Sequence, residues 1–196
     1  MGHFDPEDAI ARVRREFGEH GGVCPSISRS STFTVMAPET MPEIFQGRRS
    51  PDQGGCYLYS RHFNPTVDVL ARYMAAMENT EYAICTASGM AAIACTLLQL
   101  CRQGDHIVAS RTIYGGTHAL LADLLPDWGI TVTFVDPTDP EAFDDAVRPE
   151  TRVWYTETIG NPTLAIADIP ALASKAHARD ITLVVDNTFT LSLIHI

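Results

Sequence analysis

From residue 82 onward the chain alternates short apolar runs with stretches at helical spacing, and this alternation narrows the possible folds more than any other feature. Strand-like runs fall at 82–86, 106–110, 131–135, 152–156 and 182–185, with helix-like stretches at 90–100, 117–125, 140–147 and 169–179 between them. Runs such as Leu183-Val184-Val185 are apolar on every residue, as strands covered on both faces must be. Strands separated by helices run parallel, because each helix carries the chain back to the starting edge. The pattern predicts an α/β fold: a parallel-rich sheet with helices on both faces. No internal repeat or low-complexity segment interrupts it.

The part before residue 82 reads differently. Asp5-Pro6 is an N-cap followed by proline at the first helical position, opening a polar helix to about Phe17. Between residues 21 and 53 no period is sustained, and Pro25, Pro38, Pro42 and Pro51 punctuate the stretch. It reads as an extended arm, which needs a surface to lie against, and a neighbouring subunit would supply one. Asn64-Pro65 repeats the cap signal, and Val67, Leu70, Met74 and Met77 recur at helical spacing as far as Glu78.

Composition excludes several functions. With 14 Lys and Arg against 24 Asp and Glu the formal net charge is −10, which argues against binding a phosphate backbone. A hydrophobic share of 45% with 19% charged residues suits a buried core. The five cysteines form no CxxC pair, and no secretory signal precedes them, so they read as reduced, buried thiols of a cytoplasmic protein. The seven histidines show no zinc spacing, and no metal site is expected. Residues 82–101 carry no charge, a span of membrane-crossing length, but Thr86, Ser88, Gly89, Thr96 and Gln99 fit a strand-turn-helix better. No membrane association is expected.

In a parallel sheet ligands bind beyond the carboxyl ends of the strands, so the residues that follow each run carry the functional reading. Ser88-Gly89-Met90 follows a strand and opens a helix, where free N–H groups favour an anion such as a phosphate. Asp186, followed by Asn187 and Thr188, emerges from an apolar strand. It either caps the next turn or meets a protonated ring nitrogen. Tyr114 beside Gly115-Gly116 either flanks an ordinary turn or stacks on a planar ring. Glu157 and Asn161-Pro162 suit a strand exit, or else polar contacts to a ring substituent. No dinucleotide or nucleoside-triphosphate glycine fingerprint is present, and Thr86 stands where a hydrolase elbow needs glycine. A phosphate cradle, a stacking ring and an acid placed for a pyridinium are together what pyridoxal phosphate requires of a protein.

Five ordered segments carry a more specific signal: YSRHFNPT (59–66), TASGMAAI (86–93), YGGT (114–117), ETIGNPT (157–163) and VVDNTF (184–189). In these the chain resembles the Cys/Met-metabolism (trans-sulfuration) pyridoxal-phosphate enzymes, which include cystathionine γ-synthase and γ-lyase, methionine γ-lyase and O-acylhomoserine sulfhydrylase. The resemblance implies the aspartate-aminotransferase-like fold (fold type I). It implies that Gly89 and Met90 give backbone N–H groups to the coenzyme phosphate, with Ser88 lining that turn, and that Thr188 in the strand-exit loop also binds the coenzyme. It further implies that Tyr114 stacks on the ring and assists proton transfer, that Asn161 lies near the ring hydroxyl, and that Asp186 keeps the pyridine nitrogen protonated. Tyr59 and Arg61 would reach across a dimer interface to the neighbouring subunit's phosphate, in a homo-oligomer built as a dimer of dimers. The implied activity is γ-replacement or γ-elimination on sulfur amino acids or O-acylhomoserine.

The resemblance also implies a division of the chain. Residues 1–60 form the N-terminal helix and oligomerisation arm, and 61–190 an incomplete, truncated coenzyme-binding domain. Residues 191–196 are expected to be a read-through artefact, since one codon choice for them reproduces the end of a common sequencing adapter. The family's Schiff-base lysine lies downstream of the Asp186 motif. Lys175, the one lysine in the chain, precedes that motif within a predicted helix and cannot replace it. The chain as given is therefore expected to be inactive, at most a coenzyme-binding or association module, while its full-length parent is an enzyme. Within the family, ETIGNP is closest to the O-acylhomoserine sulfhydrylases. Gly116 stands where methionine γ-lyases usually carry cysteine, which leaves that subtype as the alternative.

Overall fold

The structure is a computed structural model describing residues 4–13 and 22–190. The chain forms two compact units, Met1–Cys85 and Thr86–Ile196.

The first unit contains α1 (Pro6–Val13), α2 (Met41–Phe45) and α3 (Pro65–Met77), joined by irregular chain. Residues 14–17 of the expected first helix lie outside the described residues, as do 191–196. At α3 the capping signal works as read: the Asn64 side chain accepts the Thr66 N–H at 2.9 Å and Pro65 takes the first helical position. The same two polar side chains hold the arm. The Ser28 N–H donates to Thr66 Oγ1 at 2.8 Å, and Asn64 Nδ2 donates to the Ser28 carbonyl at 3.2 Å. An isolated antiparallel bridge joins Thr32 to Tyr59. The arm is thus tied by backbone bonds at its middle, while Ile27 and Met36 stay more than four-fifths exposed.

The second unit carries the sheet. Its elements are α4 (Gly89–Leu100), β1 (His106–Ser110), α5 (Gly115–Ala119), α6 (Leu125–Asp127), β2 (Thr131–Val135), α7 (Pro140–Asp145), β3 (Thr151–Glu157), α8 (Ile169–Ala178) and β4 (Thr182–Asp186). A π-helical turn, Leu120–Leu124, joins α5 to α6. All four strands are parallel, in the order β2-β1-β3-β4. Residues alternate between two cores, as strand geometry requires. Ile107, Ala109, Val153 and Tyr155 pack with Leu97 of α4 and with Leu120 and Leu121 of the π turn. Val108 and Trp154 pack on the other face with Phe143 of α7 and Leu172 and Ala176 of α8. Helices on both faces explain the apolar runs 107–109, 153–155 and 183–185, whereas β2 at the sheet edge carries Thr131 and Thr133. From β1 the chain steps to β2 on one side, and β3 lies on the other. The loops after β1 and β3 therefore diverge at a topological switch point, where such sheets open a crevice.

Two expectations need correction. The run at 82–86 is apolar enough for a strand, but it pairs with nothing among the described residues, and Tyr82 and Ile84 are 63% and 77% exposed. An apolar run becomes a strand only where a neighbouring backbone accepts its hydrogen bonds. The cysteines are mostly not buried: Cys24 and Cys95 are exposed, Cys56 and Cys85 half-buried, and only Cys101 is enclosed. Burial, with the Asp105 carboxylate nearby, pushes the Cys101 thiol up to about 11, so it stays protonated at neutral pH. Among the described residues no helix is long and apolar enough to cross a membrane.

His106 opens β1 with its ring 1% exposed, Nδ1 lying 2.8 Å from Thr151 Oγ1 and Nε2 2.9 Å from Thr133 Oγ1. It spans three strands at the edge where those strands begin. Burial, reinforced by the Arg148 guanidinium and opposed by Glu150, lowers its pKa. The unfolded chain therefore takes up this proton before the folded one does. Stability should be unaffected by His106 above about pH 6.5, and should fall as the pH drops below that value until the folded ring also protonates. Urea midpoints measured between pH 5 and 8 should show this decline in the native protein, and His106→Asn should remove that component.

Candidate active site

The Thr86–Ile196 unit holds a cavity of about 390 Å³ at the carboxyl rim of the sheet, in the size range of small-molecule sites. Ser88, Gly89 and Met90 line it from the start of α4, and Tyr114 from the start of α5. Glu157 and Asn161 line it from the end of β3 and its loop, Asp186 and Thr188 from the end of β4. Ile93, Ile159 and Phe189 supply apolar wall. Seven sequence-predicted residues thus converge on one space: Ser88, Gly89, Met90, Tyr114, Asn161, Asp186 and Thr188. Tyr59 and Arg61 belong to the other unit, where the Arg61 guanidinium lies 5.1 Å from the centre of the Tyr59 ring.

The start of α4 offers backbone donors to the cavity. Ser88 Oγ accepts the Ala91 N–H at 3.1 Å, and the Ser88 carbonyl accepts that of Ala92, so the turn is fixed. The N–H groups of Gly89 and Met90 precede the first intrahelical acceptors and have no partner among the described residues. A side chain at Gly89 would meet nothing within 4 Å, which leaves the approach to these groups open. The helix dipole adds partial positive charge at the same point.

Asp186 is oriented before any ligand arrives. Its Oδ1 accepts the Thr188 N–H at 3.0 Å and the Thr188 hydroxyl at 2.6 Å, while Oδ2 accepts the Tyr155 phenol at 3.4 Å. The hydroxyl hydrogen of Thr188 is therefore committed to Asp186. Oδ2 keeps lone-pair capacity for one further donor.

Glu157 is the residue whose weight the sequence understated. It is 6% exposed, with Oε1 accepting the Tyr114 N–H at 2.7 Å and Oε2 accepting the Asn161 N–H at 3.0 Å. Tyr114 follows β1 and Asn161 follows β3, so one carboxylate ties together the two loops that diverge at the switch point. Burial raises the Glu157 pKa and the Asp186 charge adds to this, while the two backbone donors pull it back. The Tyr114 ring, held by its backbone, lies against Gly116, where an added Cβ would stand 2.6 Å from its Cε1. Gly116 thus leaves the space that the ring occupies.

Lys175 is remote from this site. It lies on α8, whose buried side packs on the opposite face of the sheet, and its Nζ sits 2.8 Å from Glu141 Oε1.

Comparisons with known proteins give the family. A family profile described as Cys/Met metabolism PLP-dependent enzyme matches residues 8–195. The chain belongs to that family. It is 56% identical to a methionine γ-lyase of Arabidopsis thaliana over 187 residues, 94% of this chain and 42% of that protein. It is 46% identical to an O-acetyl-L-homoserine sulfhydrylase of Leptospira meyeri over 131 residues, 67% of this chain and 30% of that protein. The cystathionine γ-lyase of Lactobacillus plantarum, solved with L-serine, superposes with a TM-score of 0.81 at 32% identity, over 95% of this chain and 45% of that one. A candidate O-acetylhomoserine (thiol)-lyase of Campylobacter jejuni, crystallised with N′-pyridoxyl-lysine-5′-monophosphate, gives 0.84 at 28% identity, over 94% and 45%. The chain therefore spans about two fifths of the length of the curated relatives it matches most extensively. Membership of this family carries pyridoxal-phosphate dependence and fold type I, as the five ordered motifs imply.

Removing the Glu157 carboxylate should leave two inward N–H groups without acceptors. Glu157→Ala should lower stability by about 1–3 kcal/mol, and Glu157→Gln, which keeps one acceptor oxygen, by less. Urea unfolding would read the order of the two variants. Hydrogen exchange should quicken at the Tyr114 and Asn161 amides in Glu157→Ala.

Proposed function

We propose that the whole protein is a cytoplasmic trans-sulfuration enzyme that uses pyridoxal 5′-phosphate for γ-elimination or γ-replacement on sulfur amino acids or O-acylhomoserine. The observation that carries this reading is the convergence, in one cavity, of unpartnered N–H groups at the start of α4 with an Asp186 carboxylate that has one free acceptor site. The two suit the opposite ends of a phosphorylated pyridine. When bound, the coenzyme withdraws electron density from the substrate's α-carbon, which acidifies the Cα and then the Cβ hydrogens so that a γ-substituent can leave.

The chain's own groups have separable tasks in this reading. The Gly89 and Met90 N–H groups, with the Ser88 hydroxyl beside them, anchor the phosphate. Asp186 holds the ring nitrogen protonated, because an ionised carboxylate favours the charged form of a base bonded to it. The Tyr114 ring covers the face of the heterocycle, and its phenol moves a proton at the substrate. Asn161 hydrogen-bonds near the ring hydroxyl. Thr188 holds Oδ1 of Asp186, and Glu157 holds the Tyr114 and Asn161 loops together. Tyr59 and Arg61 serve a neighbouring subunit's phosphate, in a dimer of dimers whose contact surface includes the arm of residues 1–60. The coenzyme-binding domain begins at residue 61, and its lysine partner for the coenzyme aldehyde belongs to chain beyond the Asp186 motif. The cytoplasmic assignment rests on an odd number of cysteines with no CxxC pair.

ETIGNP favours replacement on O-acylhomoserine, whereas 56% identity over 187 residues with a methionine γ-lyase favours elimination from methionine. Both substrates belong in the test. Full-length protein supplied with pyridoxal phosphate should either release a thiol, ammonia and a 2-keto acid from L-methionine, or consume O-acylhomoserine with sulfide to give a thiol amino acid and the free acid. Asp186→Ala should reduce either rate by at least about 100-fold, the range seen when a key electrostatic group is removed. Turnover of neither substrate, or turnover that persists without coenzyme, would refute the proposal.

A further inference from the structure

Tyr155 is the one tyrosine with no solvent exposure, and it sits in the middle of β3 where the sequence reads as plain core. Its ring packs with Val153 and Ile107 in the core that lies under α4 and α5. Its phenol does not need core alone. The oxygen reaches Asp186 Oδ2 on the neighbouring strand, 3.4 Å away, and it also meets the hydroxyl of Thr117, which is fully buried on α5. Thr117 Oγ1 is itself 3.8 Å from Met90 Sδ at the start of α4. A continuous chain of contacts therefore runs from the turn at the start of α4, through the buried Thr117 and Tyr155, to the Asp186 carboxylate.

We infer that Tyr155 is a positioning residue for Asp186. Its phenol O–H fixes Oδ2 from below while Thr188 fixes Oδ1, so that the remaining lone pair of Oδ2 presents itself to a protonated ring nitrogen. This rests on the coenzyme reading given above and adds to it the residue that sets the angle of the acid. The register supports it. Tyr155 pairs with Val184, two residues before Asp186, so its side chain and that of Asp186 emerge on one face of the sheet. Protonation supports it as well: burial first, then the Asp186 charge, raises the phenol's pKa, so the hydroxyl remains a donor at any working pH. With one strut on each oxygen the carboxylate cannot rotate about its terminal torsion. With Thr188 alone it can, since both of those bonds fall on Oδ1.

The test is a double-mutant cycle in the full-length protein, reading the Kd of pyridoxal phosphate by fluorescence quenching and the Tm of each coenzyme-free variant. Tyr155→Phe keeps the ring and removes one oxygen. It should weaken coenzyme binding about 3- to 10-fold with the Tm little changed, and add no further weakening in an Asp186→Ala background, because coupled residues are non-additive. A Kd for Tyr155→Phe within about twofold of wild type, or the same fold-loss in both backgrounds, would overturn the role of Tyr155 alone. An Asp186→Ala protein that binds the coenzyme as tightly as wild type would overturn the coenzyme reading itself, and the role of Tyr155 with it.

Discussion

The site depends on one buried carboxylate. Glu157 ends β3 and accepts a backbone N–H from each of two loops that the sheet topology sends in opposite directions. Without that double bond the loop after β1 and the loop after β3 would have no common anchor at the switch point. The two bonds are 2.7 and 3.0 Å long, and a carboxylate acceptor makes such bonds stronger when it is ionised. They also offset the cost of burying the carboxylate, which otherwise pushes its pKa upward. The position of Tyr114, and through it the wall of the cavity, follows from this contact.

A second constraint operates beside it, at Asp186, which pairs with Glu157 across β3 and β4. Asp186 is held on both oxygens, by Thr188 from its own loop and by Tyr155 from the neighbouring strand. The turn at Ser88-Gly89-Met90 lines the same cavity and offers it the Gly89 and Met90 N–H groups, which have no partner among the described residues. The rim of the sheet thus combines unpartnered N–H donors with a carboxylate that keeps acceptor capacity. That pairing, more than the α/β architecture, relates the chain's shape to its family's coenzyme.

Much of this was legible in the residues. The strands at 106–110 and 131–135 fall where the apolar residues place them, the first fully buried and the second at the sheet edge, half-buried. The run at 82–86 has the same composition and forms no strand, since pairing depends on a neighbour that local sequence does not encode. The helix after Tyr114 begins at Gly115, two residues before the place that glycine's weak propensity suggests. The Tyr114 backbone there is anchored by a carboxylate 43 residues away. Tyr114 and Asp186 could be read from their positions after strands, and Ser88 from its place at the start of a helix. Glu157 and Tyr155 could not be weighed in the same way, because an acid at a strand exit and a tyrosine in an apolar run are ordinary until their partners are seen.

The account stands on the two ends of one ligand being held at one rim. A crystal structure of the full-length protein with pyridoxal phosphate would test this most directly. The phosphate should sit on the Gly89 and Met90 N–H groups, with the ring nitrogen within hydrogen-bond distance of Asp186. A phosphate bound elsewhere, or a ring turned so that its nitrogen faces away from Asp186, would contradict it.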